Sequence, residues 1–314
     1  MRIAEGIYPT MITPFDEKGQ VDYDAAQELV DWYWRQGCNG IFAVCQSSEM
    51  FYLSLEERIQ LTACVKKQAL RLAEGSGRPP MTIVASGHIA EDIGEQAEEL
   101  TAIWRAGADA VVLVSNRLDQ ANRSEQAWIR DGEELLRRLS PDMPLGMYEC
   151  PRPYKRLLTP EMLRWCVSTG HFCFLKDTCC DRYQIQNRLE LLQGSQIQLF
   201  NANAQTLLDT LRFGASGYCG IMANFHPQLY CWLWDHYQEP SASVDSAAAL
   251  MSIAAFTEAL RYPATAKYYL RELEGVPIRG YSRGSQPLTD YDRMVMRQLK
   301  QLTKQMMQQL EGGH

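Results

Sequence analysis

No stretch of this 314-residue chain stays apolar long enough to span a membrane, and its first residues lack the apolar core of an export signal. The expectation is therefore a soluble, cytoplasmic protein. Positive charge is also scarce. Lys and Arg number 31 against 38 Asp and Glu, a formal charge of −7, which argues against general nucleic-acid binding. Runs of five or six like charges are missing, so no charged binding tail is expected. The ten cysteines include no C-x₂-C pair, only the adjacent Cys179–Cys180. Metal-ligand spacing is thus absent, and free thiols of a reducing compartment are the expected state. Nor does a G-x-G-x-x-G follow the first β-rich run, which counts against a dinucleotide-binding sheet.

What is present is an alternation. Short apolar runs at Ile7–Thr13, Gly40–Val44, Thr82–Ser86, Ala110–Val114, Leu145–Glu149, Phe172–Lys176, Ile197–Asn201 and Gly217–Ile221 read as strands. Between them lie amphipathic stretches such as Tyr23–Gln36, Leu55–Ala73, Asp92–Ala106, Glu125–Leu139 and Ala204–Phe213. Ser54-Leu55-Glu56-Glu57 is a capping box, and Thr159-Pro160-Glu161 sets a cap before a first-turn proline. Eight evenly spaced strands with helices between them predict an α/β fold, the (β/α)₈ TIM barrel. After Asn224 the pattern becomes helical, with Glu239–Ser246 as a connection and helices near Ala247–Leu260, Ala264–Leu273 and Asp290–Leu310. In the last of these, Val295, Leu299, Leu302, Met306 and Leu310 form the expected core-facing stripe. The expected division is residues 1–225 as the catalytic barrel and 226–314 as C-terminal helices packed on it.

Barrel enzymes carry their chemistry at the C-terminal ends of strands. Lys176 ends the sixth run after four apolar residues. Burial there disfavours an ammonium, and an amine must be unprotonated to attack a carbonyl. A lysine that only caps the strand or pairs with Asp177 is the plain alternative. Tyr148 stands near the end of the neighbouring fifth run, where its phenol could pass protons to a substrate beside the lysine. The plain alternative there is a buried strand tyrosine.

With these residues in place the sequence resembles the dihydrodipicolinate synthase / N-acetylneuraminate lyase family of Schiff-base aldolases, as a divergent member. The opening Gly6-Ile7-Tyr8-Pro9-Thr10-Met11-Ile12-Thr13-Pro14-Phe15 is similar to the family's first strand and loop. Tyr148-Glu149-Cys150-Pro151 resembles its Y-x-x-P motif, Phe174-Leu175-Lys176-Asp177-Thr178 its lysine motif, and their separation (176 − 148 = 28) is the family's usual one. Phe213-Gly214-Ala215-Ser216-Gly217 and Ala223-Asn224 are similar to its eighth strand and following loop.

The resemblance implies a lyase in which Lys176 forms an imine with a pyruvate-type, sugar-derived 2-oxo acid and Tyr148 shuttles the proton. It implies substrate contacts from Gln46, Ser47 and Ser48 in the carboxylate loop and from Thr178, Asn201, Asn203 and Cys219 around the mouth. It implies no metal or organic cofactor, and a homo-oligomer, dimer or tetramer. Departures are equally visible. Cys45 and Ser48 replace the loop's two glycines, which leaves no glycine where the backbone needs a positive φ. Gln46 replaces a proton-relaying hydroxyl, Asn116 and Arg117 align with a tyrosine pair, and Pro153 replaces a carboxylate-binding arginine, with Arg152 beside it expected to point elsewhere. These departures disfavour the synthase reaction itself. Asn201-Ala202-Asn203-Ala204 in place of an acidic sugar loop disfavours sialic acid. Asn201, Asn203, Asn224 and His226 suit either a hydroxylated substrate or the capping of nearby helices. A dehydratase or decarboxylase using the same imine, and a barrel that binds 2-oxo acids without turnover, are the other readings.

Overall fold

The apolar runs form eight strands in a computed structural model that describes residues 2–312. They are β1 (Gly6–Ile7), β2 (Gly40–Phe42), β3 (Thr82–Ala85) and β4 (Ala110–Val114). β5 (Leu145–Tyr148), β6 (Phe172–Asp177), β7 (Gln198–Asn201) and β8 (Gly217–Tyr218) follow. All neighbouring pairs are parallel, and β8 returns to pair with β1. A parallel bridge from Thr10 to Phe42 closes the ring between β1 and β2, where the Phe42 N–H donates to the Pro9 carbonyl at 2.9 Å. A closed ring leaves no unpaired edge. The seam between β8 and β1 needs Gly217, whose φ is +145°; a Cβ there would lie 1.9 Å from the Gly6 carbonyl oxygen.

A helix follows each strand: α1 (Tyr23–Arg35), α2 (Leu55–Ala73), α3 (Ile93–Arg105), α4 (Glu125–Leu136), α5 (Pro160–Thr169), α6 (Arg182–Leu192), α7 (Leu207–Arg212) and α8 (Pro227–His236). The expected caps form. Ser54 Oγ accepts the Glu57 N–H at 3.1 Å while Glu57 Oε2 accepts that of Ser54 at 2.8 Å. Thr159 caps α5 with Pro160 in its first turn. The chain therefore folds as a (β/α)₈ barrel. Its interior is aromatic: Phe174 packs on Phe200 with ring centroids 5.0 Å apart, Tyr8 on Phe200 at 4.7 Å, and Phe42 on Phe174 at 6.0 Å.

Three further helices, α9 (Ala242–Ala254), α10 (Ala264–Tyr268) and α11 (Asp290–Gly312), follow the barrel. Two differ from expectation. α9 begins inside the expected connection, because Ser241 Oγ accepts the Val244 N–H at 3.3 Å and caps the helix earlier. On α11 the buried residues are Asp292, Met296, Leu299, Thr303 and Leu310, while Leu302 is 49% exposed. Polar residues redirect that face. Asp292 pairs with Arg261 Nη1 at 3.0 Å, and Thr303 Oγ1 lies 3.0 Å from His226 Nδ1. Beyond α9 the segment Ala242–Ala259 bends by 115° into Ala264–Leu273, and Tyr262 at that corner borders a small cavity with Gln46 and Ser47. Among the described residues no single helix is long and apolar enough to cross a membrane.

Two buried histidines tie stability to pH. His88 Nδ1 accepts the Val114 N–H at 2.9 Å, which leaves its proton on Nε2, facing Gln96. Burial pushes His88 down to about 4, against the Gln96 bond, and His226 down to about 3. Both are neutral when folded, whereas the unfolded chain protonates them near the ordinary histidine value. Stability is therefore lost as pH falls below about 6.5, by about 1.4 kcal/mol per unit for each histidine. Urea unfolding across this range should show His88's share ending near 4 and His226's near 3. His226→Phe should remove one proton from the slope.

Candidate active site

β5 and β6 lie side by side, and their register sets Tyr148 opposite Lys176 at the C-terminal rim. Lys176 is only 4% exposed, and its amine makes no hydrogen bond or ion pair with a described residue. Its Nζ lies 4.4 Å from the Tyr148 ring centroid and 5.5 Å from that of Phe42, at the top of the aromatic interior. Asp177 does not neutralise it. Successive strand residues point to opposite faces, and Asp177 turns outward to Arg188 of α6. Arg188 also donates to Glu149 Oε1 at 2.7 Å and to the Leu158 carbonyl at 2.8 Å. The Glu149 carboxylate accepts the N–H groups of Leu158 and Thr178 as well, at 2.7 and 2.9 Å. One buried guanidinium thus holds the residues that follow Tyr148 and Lys176.

The surroundings keep the other candidate groups protonated. Burial pushes the Tyr148 phenol well above the ordinary tyrosine range, and the neighbouring Cys150 and Cys45 add to the shift. It is a neutral proton donor near pH 7. Cys150 and Cys219 are raised by burial too, Cys219 to about 12, with Lys176 pulling both the other way. All ten cysteines are free thiols, and these two are held as S–H rather than thiolate. The Cys150 thiol sits beside the Tyr148 hydroxyl and donates to Gln46 Oε1 at 3.2 Å.

The loop after β2 solves its missing glycines by moving the left-handed residue. Cys45 is extended (φ −153°), Gln46–Ser48 form one 3₁₀ turn, and Glu49 takes the left-handed conformation (φ 59°, ψ 32°). Such a backbone costs a non-glycine residue about 1–2 kcal/mol. Four contacts from the C-terminal segment to Glu49 oppose that cost. Lys267 Nζ donates to Glu49 Oε2 at 2.7 Å and to the Tyr281 carbonyl at 2.6 Å, while Ser282 Oγ and the N–H groups of Arg283 and Gly284 reach Glu49 Oε1 at 2.6, 2.7 and 2.7 Å. Burial lowers Lys267 below the usual lysine value, with Glu49 working against that shift.

Comparison with known proteins agrees with this geometry. The family model described as the dihydrodipicolinate synthetase family matches residues 4–306. The chain belongs to that family. Its members are lyase-type enzymes of the class I aldolase kind, and this chain is an enzyme of that kind. The 4-hydroxy-tetrahydrodipicolinate synthase of Pseudomonas aeruginosa is 24% identical over 223 residues, covering 71% of this chain and 72% of its own. That of Teredinibacter turnerae is 26% identical over 222 residues, covering 71% and 72%. Among solved structures, the Acinetobacter baumannii dihydrodipicolinate synthase complexed with pyruvate superposes with a TM-score of 0.82 at 20% identity, covering 96% of this chain and 99% of its own. An E. coli K12 prophage protein of the same family, also in complex with pyruvate, gives 0.81 at 22% identity, covering 96% and 98%. At these identities the superpositions show the fold alone.

Within the family fold, the remaining expected residues divide into two groups. Gln46 and Ser47 border a cavity of about 90 Å³ above the loop, and Cys219 is buried close enough to Lys176 to feel its charge. The others have their polar atoms engaged by the protein. Ser48 Oγ lies 2.6 Å from the Met11 carbonyl and 2.9 Å from that of Ala43, and it accepts the Cys45 N–H at 3.1 Å. Thr178 Oγ1 donates to the Glu149 carbonyl at 2.8 Å. Asn201 Nδ2 donates to Thr206 and Thr210, and Asn203 Oδ1 accepts the Thr206 N–H, so both asparagines organise the approach to α7. Asn224 holds Tyr33 and the Thr10 carbonyl, and His226 holds Thr303.

Arg152 borders the same cavity as Gln46 and Ser47, in a loop whose carbonyls at Cys150 and Arg152 are gathered by Asn116 Nδ2, each at 2.9 Å. Sequence reasoning also missed Tyr262, which lines that cavity. It arrives from the C-terminal arm, and no local pattern marks it. Replacing Arg188 by Leu would leave Glu149 and Asp177 buried without their cation. A loss of about 3–5 kcal/mol is expected in denaturant unfolding.

Proposed function

We propose that the protein is a Schiff-base lyase acting on a sugar-derived 2-oxo acid, one whose far half carries hydroxyls, with Lys176 as the amine and Tyr148 as the proton shuttle. The observation that carries this reading is a buried lysine whose amine makes no ion pair, beside a protonated tyrosine. The Lys176 amine would add to the ketone, and Tyr148 would give its proton to the carbinolamine hydroxyl, which leaves as water to form an iminium. The phenolate then takes the proton of the substrate hydroxyl as the neighbouring C–C bond breaks, that carbon leaves as an aldehyde and the electron pair passes to the iminium. The resulting enamine takes the proton back from Tyr148, and water adds to the new iminium, giving the phenolate its proton and releasing the amine. The carboxylate of the oxo acid would sit over the 45–49 loop, where Ser47, Gln46 and the positive charge of Arg152 converge on one cavity. In this reading residues 1–225 carry the imine chemistry and residues 226–314 shape its mouth. Gln46, Ser47 and Cys219 are the proposed contacts to the oxo-acid end. Ser48, Thr178, Asn201 and Asn203 act by holding their loops.

A second reading is the synthase reaction itself, favoured by the names of the curated relatives. Against it stand Gln46, Asn116, Arg117 and Pro153 at positions where the family's synthases carry other groups. The repositioned Arg152 is the one feature that could compensate. Assay with the synthase's own substrates separates the two readings. We further propose a homo-oligomer; the exposed Ile253 and Phe256, each 69% accessible, offer an apolar surface for it.

The direct test is intact-protein mass spectrometry after incubation with pyruvate and borohydride. A reduced adduct is expected on the unmodified protein and none on Lys176→Ala. Tyr148→Phe should still trap pyruvate but turn over about 10²-fold more slowly or worse. An adduct of equal yield in Lys176→Ala would refute the imine assignment.

A further inference from the structure

The cavity above the loop after β2 holds about 90 Å³. That is well below the roughly 300–1,000 Å³ of a pocket that takes a whole ligand, so it receives one functional group. Its polar border comes from Gln46, Ser47, Arg152 and Tyr262, and from Glu49, whose carboxylate is already held by Lys267, Ser282, Arg283 and Gly284. Gln46 differs from the rest because its role turns on orientation: an amide accepts at Oε1 and donates at Nε2. Oε1 accepts the Cys150 S–H at 3.2 Å, while Nε2 has no acceptor among the described residues. Both ends of that bond are fixed. Cys150 is fully buried; its N–H donates to the Tyr148 carbonyl at 2.9 Å, and its carbonyl accepts Asn116 Nδ2 at 2.9 Å. Gln46 opens the 3₁₀ turn 46–48, and its carbonyl accepts the Glu49 N–H at 3.0 Å. The sulfur itself accepts from the Tyr148 hydroxyl and the Arg152 N–H, and burial keeps it a thiol. With donors on those sides, its one hydrogen points at Gln46.

We propose that Cys150 is a positioning residue for the substrate carboxylate: its thiol holds Gln46 Oε1 and so turns Nε2 to the cavity as a hydrogen-bond donor. This deepens the oxo-acid reading of the site and rests on it. An ionised carboxylate only accepts hydrogen bonds, so the groups around it must donate. With Nε2 inward, Gln46 joins Ser47 and Arg152 in a set of donors. With the amide turned over, Oε1 would face the carboxylate oxygens, and repulsion would replace a hydrogen bond. A glutamine side chain has little intrinsic preference between the two orientations. The buried S–H supplies one, because turning the amide over leaves that hydrogen without an acceptor. One thiol thereby meets Tyr148 at its sulfur and Gln46 at its hydrogen, and joins the proton shuttle to the carboxylate cavity.

Pyruvate and pyruvamide test this, because they share a ketone and a shape and differ in whether the near end is an anionic acceptor or a neutral amide. Binding is read as the ligand-dependent rise in melting temperature. The unmodified protein should prefer pyruvate by at least about tenfold, a gap that a charge-assisted hydrogen bond supports. Cys150→Val keeps the bulk and removes the S–H, and should shrink that preference about fivefold, the worth of one hydrogen bond. Cys150→Ser, whose hydroxyl also donates to Oε1, should hold it within about twofold of the unmodified protein. Gln46→Leu should lose about as much as Cys150→Val, and the double variant no more than either. A loss of packing alone weakens both ligands alike and leaves the preference where it was. Equal binding of the two ligands by the unmodified protein, an undiminished preference in Cys150→Val or Gln46→Leu, or a Cys150→Ser that behaves like Cys150→Val would overturn the assignment. Borohydride trapping on Lys176 is scored separately. Trapping without the Cys150 effect defeats this proposal alone; the Cys150 effect without trapping defeats the imine alone.

Discussion

The site depends on one buried guanidinium. Arg188 reaches from α6 under the rim and binds the carboxylates that follow Tyr148 on β5 and Lys176 on β6. Burial alone would push the Glu149 carboxyl up and the Arg188 guanidinium down; their attraction opposes both, and Arg188 ends well above its ordinary value. Buried ion pairs contribute less net stability than their Coulomb attraction suggests, since both partners lose their hydration. What this one contributes is placement. Asp177 is occupied on the outer face, so Lys176 on the inner face meets no carboxylate within the barrel wall.

The same logic repeats at the loop after β2. A left-handed Glu49 replaces the glycines that would have made the turn without strain, and the carboxylate that makes Glu49 costly there is also what secures it. Lys267, Ser282, Arg283 and Gly284 come from more than two hundred residues along the chain. The C-terminal segment is therefore part of the loop that borders the site. It also delivers Tyr262 to the cavity beside that loop. Barrel and extension are coupled through these contacts, and loosening either would be felt in the other.

The strands and most helices were legible because their signals are local. A buried parallel strand needs a continuous apolar run, and a capping box needs four adjacent residues, as at Ser54–Glu57. Where a polar residue finds a distant partner the local signal misleads. α11 turns Asp292 and Thr303 inward and Leu302 outward because Arg261 and His226 await them. The early start of α9 has a smaller cause: Ser241 stands in a Pro/Ser stretch with the composition of a loop, whereas its hydroxyl caps a helix.

The sequence by itself determined the barrel, the strand that ends in Lys176, the neighbouring strand that carries Tyr148, and their family resemblance. Each of these follows from spacing along one or two strands, which the twofold strand repeat converts directly into position. Tertiary structure alone decided which polar groups remain free to meet a substrate. Ser48, Thr178, Asn201 and Asn203 have the right chemistry and the right neighbourhood, but their hydrogen bonds are taken up within the protein. Tyr262, with no local sign, borders the cavity beside Gln46, Ser47 and Arg152. The reason is physical: a side chain's availability is set by the partners that folding brings to it, and those partners lie far away in the chain.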